Sequence, residues 1–274
     1  ITVDSRIDGK AEGINIERSG SFSEISNREQ GFRSSTFGAS KTWYNRASTG
    51  SSDWAIDGTN NAPYVIKAAT EIDASLPASM KDNVYAYARA AFDYMADPSA
   101  DSFVRYPNAQ ELYQMALESR QGKPPRGGEE CLAGSLGDCD EQSNAFMSIM
   151  RVQGVPTWYV FGALADSQFE SWQGHAWAYI MIPMSEEWCE DNDVILDTCY
   201  IEGSVDVVNH KWLVHTPTAY IDWVEKAPWS NVDGYYSGGS ISGSDFKRVR
   251  SFTTESYDVS GGTWENIWAG EDLS

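Results

Sequence analysis

Gly137-Asp138-Cys139-Asp140-Glu141-Gln142-Ser143 is the stretch whose reading decides the fold. Asp138 is a favoured N-cap, and Glu141, three residues on, completes the pattern of a capping box. A helix is therefore expected to start at Cys139. Ala145, Phe146, Ile149 and Met150 give it an apolar face, and Gly154 ends it. As first residue of that helix, Cys139 meets several unpaired backbone N–H groups and about half a positive charge. Such a position favours a thiolate, and the same N–H groups can hold an oxyanion. Cys139 is thus a candidate nucleophile. A cysteine merely packed at a helix start is the competing reading, and position alone does not separate the two.

Working outward, Val84, Tyr85, Ala88, Ala91, Phe92 and Met95 follow the spacing of an amphipathic helix over 81–96, closed by Asp97-Pro98. A second helix is expected at about 108–120, where Leu112, Met115 and Ala116 share a face. Gln121 to Gly128, with its Gly and Pro residues, reads as a loop. Downstream of Pro156, three short runs rich in aromatic and β-branched residues predict strands: Thr157 to Leu164, Ala176 to Ile182 and Val194 to Tyr200. A short helix is expected over 218–226, with Tyr220, Trp223 and Val224 inward. The order is α+β: helices, one of them carrying a cysteine at its N-terminus, packed on an antiparallel sheet.

A thiol nucleophile needs a base, and the chain has three histidines. His175 stands in Gly174-His175-Ala176-Trp177 at the mouth of a predicted strand, sharing a strand face with Trp177. His210 and His215 lie beside a Pro-containing turn and lack such a setting. The base in turn needs an orienter. Asp197 interrupts the apolar run Val194-Ile195-Leu196-Asp197-Thr198-Cys199-Tyr200, where a carboxylate is costly unless paired. An imidazole on a neighbouring strand would pair it. Cys139, His175 and Asp197 are therefore the expected catalytic triad.

These stretches, together with Gly154-Val155-Pro156, resemble the transglutaminase-like superfamily within the papain-like cysteine enzymes. The shared pattern is a Gly-x-Cys helix start, a Gly-Val-Pro turn before a strand, a Gly-His-x-Trp strand and an Asp-bearing strand. The resemblance covers roughly residues 81–226 and is specific within 137–200. It implies acyl transfer on peptide or amide bonds, with the Cys139 backbone N–H as one oxyanion donor and a second donor that the sequence does not identify. Hydrolysis by a cysteine peptidase or amidase is the favoured outcome. Protein cross-linking, with a lysine amine as acceptor, is one alternative. A structural or surface-assembly protein that retains the fold is another. The resemblance also suggests a microbial extracellular type.

The rest of the chain bounds these readings. Among 274 residues, 40 acidic groups against 20 basic ones give a formal charge of -20. Such a surface repels nucleic acid and anionic lipid. No apolar run is long enough to span a membrane. The composition fits a secreted or surface protein, or one from a salty environment, and the resemblance implies a protein or peptide substrate. Of the four cysteines, Cys131, Cys189 and Cys199 remain once Cys139 is set aside, and no pairing among them is preferred. Their spacings match no zinc pattern, and no cofactor is expected. The acidic cluster Glu186, Glu187, Glu190, Asp191 and Asp193 lacks EF-hand spacing, so calcium is only a weak expectation. Residues 1–80 and 227–274 read as Ser/Gly-rich, aromatic-bearing extensions around a core at 81–226, suited to self-assembly. The basic cluster Lys247, Arg248 and Arg250 reads as a solvated face.

Overall fold

The computed structural model describes residues 17–27, 62–121, 126–165, 172–196, 199–213 and 219–224. The first described element is a short helix α1 (Phe22–Asn27), and after the described residues resume come α2 (Pro63–Ser75) and a 3-10 turn at Ala78–Met80. α3 (Val84–Ala96), α4 (Ala109–Arg120), α5 (Gly128–Gly134) and α6 (Cys139–Val152) follow. The sheet comes after them: β1 (Thr157–Ala165), β2 (Trp172–Pro183), the excursion helix α7 (Glu186–Asp191), β3 (Tyr200–Asp206), β4 (Lys211–Trp212) and β5 (Ala219–Val224).

Helix α6 is the axis of the core. From Glu141 to Arg151 every residue is buried, because α2, α3 and α5 cover one side and β1 and β2 the other. A helix enclosed on all sides buries its polar positions too. Gly154, at φ 76°, and Pro156 then turn the chain out of the helix and into β1. The five strands run β4-β3-β2-β1-β5, with antiparallel pairing throughout. β2 is the middle strand and is buried continuously from His175 to Ile182. Mixed helices on an antiparallel sheet are the α+β architecture expected from the sequence.

Several local expectations need correction. Residues 219–224 form a strand, β5, paired with β1 from Val160↔Val224 to Leu164↔Ala219. The edge of β1 offers unpaired backbone groups, and filling them outweighs the weak helical spacing of a short segment. Residues 194–196 are no strand either, and β3 begins only at Tyr200. Val194 donates to the Cys189 carbonyl, Cys199 turns back onto Leu196, and Ile195 is exposed. The Cys189–Cys199 disulfide closes this excursion, leaving Cys131 and Cys139 as free thiols. Four members of the acidic cluster, Glu186, Glu187, Glu190 and Asp191, lie on α7, which is capped by the Ser185 hydroxyl accepting from Trp188 N–H. Helix α2, ahead of the boundary expected at 81, adds Val65, Ala68, Ala69 and Ile72 to the core. α5 begins where the expected loop ends.

Of the N-terminal extension, residues 17–27 lie against the core. Gly20 N–H bonds the Pro183 carbonyl at the end of β2, and Val84 N–H bonds the Gly20 carbonyl at the start of α3. The C-terminal extension at 227–274, with Lys247, Arg248 and Arg250, lies outside the described residues.

Cross-linking a short loop removes disorder from the unfolded chain. Cys189→Ser, measured by urea unfolding with Cys199 also replaced by Ser, is expected to cost about 2–3 kcal/mol while leaving the far-ultraviolet dichroism unchanged.

Candidate active site

Cys139 is held at the start of α6 by an interlocked cap. The Asp138 carboxylate accepts from Asp140 N–H at 3.2 Å, and Glu141 Oε2 accepts from Asp138 N–H at 3.2 Å, completing the capping box. Glu141 is almost fully buried, and its charge is met by Arg126, whose Nε and Nη2 lie 2.8 and 2.7 Å from its two oxygens. A bidentate guanidinium is the geometry that makes such burial tolerable. Gln142 Nε2 donates to the Gly137 carbonyl at 2.8 Å, fastening the preceding turn. At Gly137 a Cβ would fall 2.7 Å from Cys131 Sγ and 3.0 Å from Glu141 Cβ. The glycine two residues before Cys139 is therefore required by close packing.

The cysteine sulfur reaches β2, where the Ala176 backbone N–H donates to it. That contact puts Sγ beside the strand position that follows His175. The His175 ring is buried, and its Nε2 lies 2.6 Å from Asp206 Oδ2. It also stacks on Trp177, the face-mate expected from strand alternation, at 5.7 Å between centroids. Asp206 ends β3, and in the register Ala178↔Val205 it falls opposite Trp177, on the face that carries His175. Asn209, in the turn to β4, donates its backbone N–H to Asp206 Oδ1 at 3.2 Å and its Nδ2 to Oδ2 at 2.8 Å. A carboxylate accepting these bonds takes the Nε2 hydrogen as well, which makes Nδ1 the basic nitrogen of the ring.

The structure thus sets the Cys139 sulfur against the strand residue next to His175, and the carboxylate bonded to His175 is Asp206. Asp197, expected in that place, lies outside the described residues. The apolar run around it reads like a strand, but the described part of that run belongs to the disulfide-closed excursion. Asp206 and Asn209 went unread in the sequence. The available signal was the alternation through Ser204-Val205-Asp206, followed by a turn residue at Asn209.

The electrostatics differ from the helix-dipole expectation. Burial, then the carboxylates of Asp140 and Asp138, push the Cys139 thiol well up rather than down, although the Ala176 N–H opposes this. Burial and the neighbouring acidic groups also raise Asp138 and Asp140. Tyr106 is pushed up to about 12, first by burial and then by the charges of Cys139, Asp138 and Asp140. Its residue is tied to the site because Arg105 N–H bonds the Ser135 carbonyl while Gly137 N–H bonds the Arg105 carbonyl. Ligand atoms of Asp138, Cys139 and Asp140 lie within 4.8 Å of one another. Helix capping and the thiol contact account for that proximity, and no metal is assigned to it.

A helix that offers a cysteine to the central strand of an antiparallel sheet, near a histidine paired with a carboxylate, is an arrangement in which thiol, imidazole and carboxylate can act together. Residues 68–191 match the family model of the transglutaminase-like superfamily. The matched segment includes Cys139 and His175, whereas Asp206 lies beyond its end. That superfamily is mostly composed of cysteine enzymes, which at a coarse level suggests thiol-dependent acyl transfer. No curated protein matches the chain significantly. Among the described residues, no helix is long and apolar enough to cross a membrane.

Gly137→Ala must displace Cys131 or the Glu141 stem, both inside the core. A loss of about 1–3 kcal/mol in chemical unfolding is expected. An unchanged unfolding midpoint would show that the turn yields without cost.

Proposed function

We propose that this protein is a cysteine peptidase or amidase acting through Cys139, His175 and Asp206. The observation that carries the proposal is the joint placement of the sulfur on the Ala176 N–H and of His175 on Asp206. The Cys139 S–H proton passes to His175 Nδ1, and the sulfur attacks the carbonyl carbon of an amide. The oxygen that becomes negative lies within the field of the α6 N-terminus, where the Cys139 N–H is a donor. The imidazolium returns its proton to the leaving amine, and the C–N bond breaks to leave a thioester on Cys139. Water, deprotonated by His175, attacks the thioester and restores the thiol with release of a carboxylic acid. Asp206 holds the ring tautomer throughout and offsets the imidazolium charge.

The raised thiol is compatible with this cycle. Cys139 need not ionise alone, since the proton stays within the pair and the imidazolium becomes the counterion. Water is the default acceptor, so hydrolysis is preferred over transfer to an amine. The Cys189–Cys199 disulfide supports an extracellular or cell-surface location, because such bonds persist in oxidising compartments.

Cys139→Ala is expected to fold and to release no new amino termini from a dye-labelled unfolded protein. Asp206→Asn is expected to lower kcat by about 10²–10⁴ by fixing the wrong tautomer. With Asp206 as the orienter, Asp197→Asn should leave the rate within about twofold. The reverse ranking of the two Asp variants would remove Asp206 from the triad. Incorporation of a dansylated primary amine in place of hydrolysis would reassign the acceptor.

A further inference from the structure

The proposed cycle leaves one group in contact with the nucleophile without a role. Asp140 Oδ1 lies 3.4 Å from Cys139 Sγ, with the thiol as donor, and accepts from the Tyr159 hydroxyl at 3.2 Å. Tyr159 is fully buried on β1, so its hydroxyl is a fixed donor. Asp140 is also near enough to His175 for their charges to interact. The carboxylate therefore sits among nucleophile, base and sheet.

The groups facing it can be named element by element. From α6 they are Asp138, Cys139 and Glu141, the last already paired with Arg126. From β1 there is Tyr159, from β2 His175, and from the loop before α4 the Tyr106 phenol. The cap does not need the Asp140 side chain, because the N-cap carboxylate comes from Asp138 and the reciprocal one from Glu141. Asp140 is thus spare for structure, yet its oxygen is turned onto the sulfur.

We propose that Asp140 is a positioning residue for the nucleophile: it holds the Cys139 S–H in the resting site and sets the pH at which that proton moves to His175. This inference rests on the Cys139–His175 reading and deepens it. An ionised Asp140 disfavours a thiolate by like-charge repulsion. It therefore moves the rise in Cys139 reactivity, which follows thiol ionisation, towards higher pH. Replacing the carboxylate with a neutral amide removes that repulsion, so the rise moves down. At a separation near 3.4 Å even fully water-like screening leaves about a tenfold change in thiolate population.

The test is the rate of iodoacetamide labelling of the Cys139 peptide, followed by mass spectrometry across the range in which thiol and imidazole titrate. In the unaltered protein labelling should rise at lower pH than in His175→Ala, which removes the cationic partner of the thiolate. In Asp140→Asn the rise should shift down by about one pH unit, whereas Asp140→Glu should keep the original profile. Tyr159→Phe removes a donor that holds the Asp140 charge, so it should shift the profile in the same direction by less. This second variant keeps the test decisive if Asp140→Asn folds poorly. Profiles of the folded Asp140 and Tyr159 variants superimposable on the unaltered one, with the rise still displaced in His175→Ala, would overturn the inference alone. Labelling of Cys139 as an ordinary thiol, indifferent to His175→Ala, would overturn the catalytic reading beneath it.

Discussion

The buried Glu141 carboxylate is the constraint on which the rest of the site depends. It accepts Asp138 N–H and the Arg126 backbone and guanidinium together. These bonds tie the start of α6 to the segment ahead of α5, and they fix where the first helical residue can stand. Cys139 is that residue. A carboxylate so deeply buried is tolerated only while all its partners are present, so the geometry it imposes is all-or-none rather than graded. Gly137 completes the lock from the other side, since no side chain fits between Cys131 and Glu141.

The sheet supplies the second half of the site by a different principle. β2 is central and buried from His175 to Ile182, so His175 is placed by strand register with little freedom to wander. Its carboxylate partner arrives through the hairpin from β3, at the end of a strand and just before a turn. Asn209 in that turn spends two donors on Asp206, which leaves the imidazole orientation determined by backbone geometry. The acidic character of the helix start then acts against the bare thiolate. In the proposed cycle, a sulfur flanked by Asp138 and Asp140 keeps its proton until His175 takes it, which links reactivity to the pair rather than to the cysteine alone.

Much of this was legible in the linear chain wherever the controlling interactions are local. The capping box needs only Asp138 and Glu141, three residues apart, and it placed the start of α6 at Cys139. The amphipathic spacing in 84–96 and 109–120 and the runs that became β1 and β2 are equally local, and they formed as expected. His175 was distinguishable because Gly174 and Trp177 frame it. What failed was every judgement that required knowing a distant partner. Residues 219–224 carry a pattern compatible with helix or strand, and the open edge of β1 decides between them. The run through Val194 looks like a strand, but a disulfide to Cys189 at one end and the chain reversal at Leu196 hold it off the sheet.

By itself, then, the sequence determined the α+β order, the helix that begins at Cys139, and His175 as the histidine to consider, because each follows from propensity, capping and periodicity over a few residues. Tertiary structure alone decided which carboxylate meets the imidazole, how the cysteines pair, and the state of the nucleophile. The partner of His175 is chosen by cross-strand register between β2 and β3, a separation of 31 residues that no local pattern encodes. The thiol is governed by burial and by Asp140 and Asp138 beside it, and these outweigh the favourable end of the helix because desolvation acts only once the sheet has closed over it.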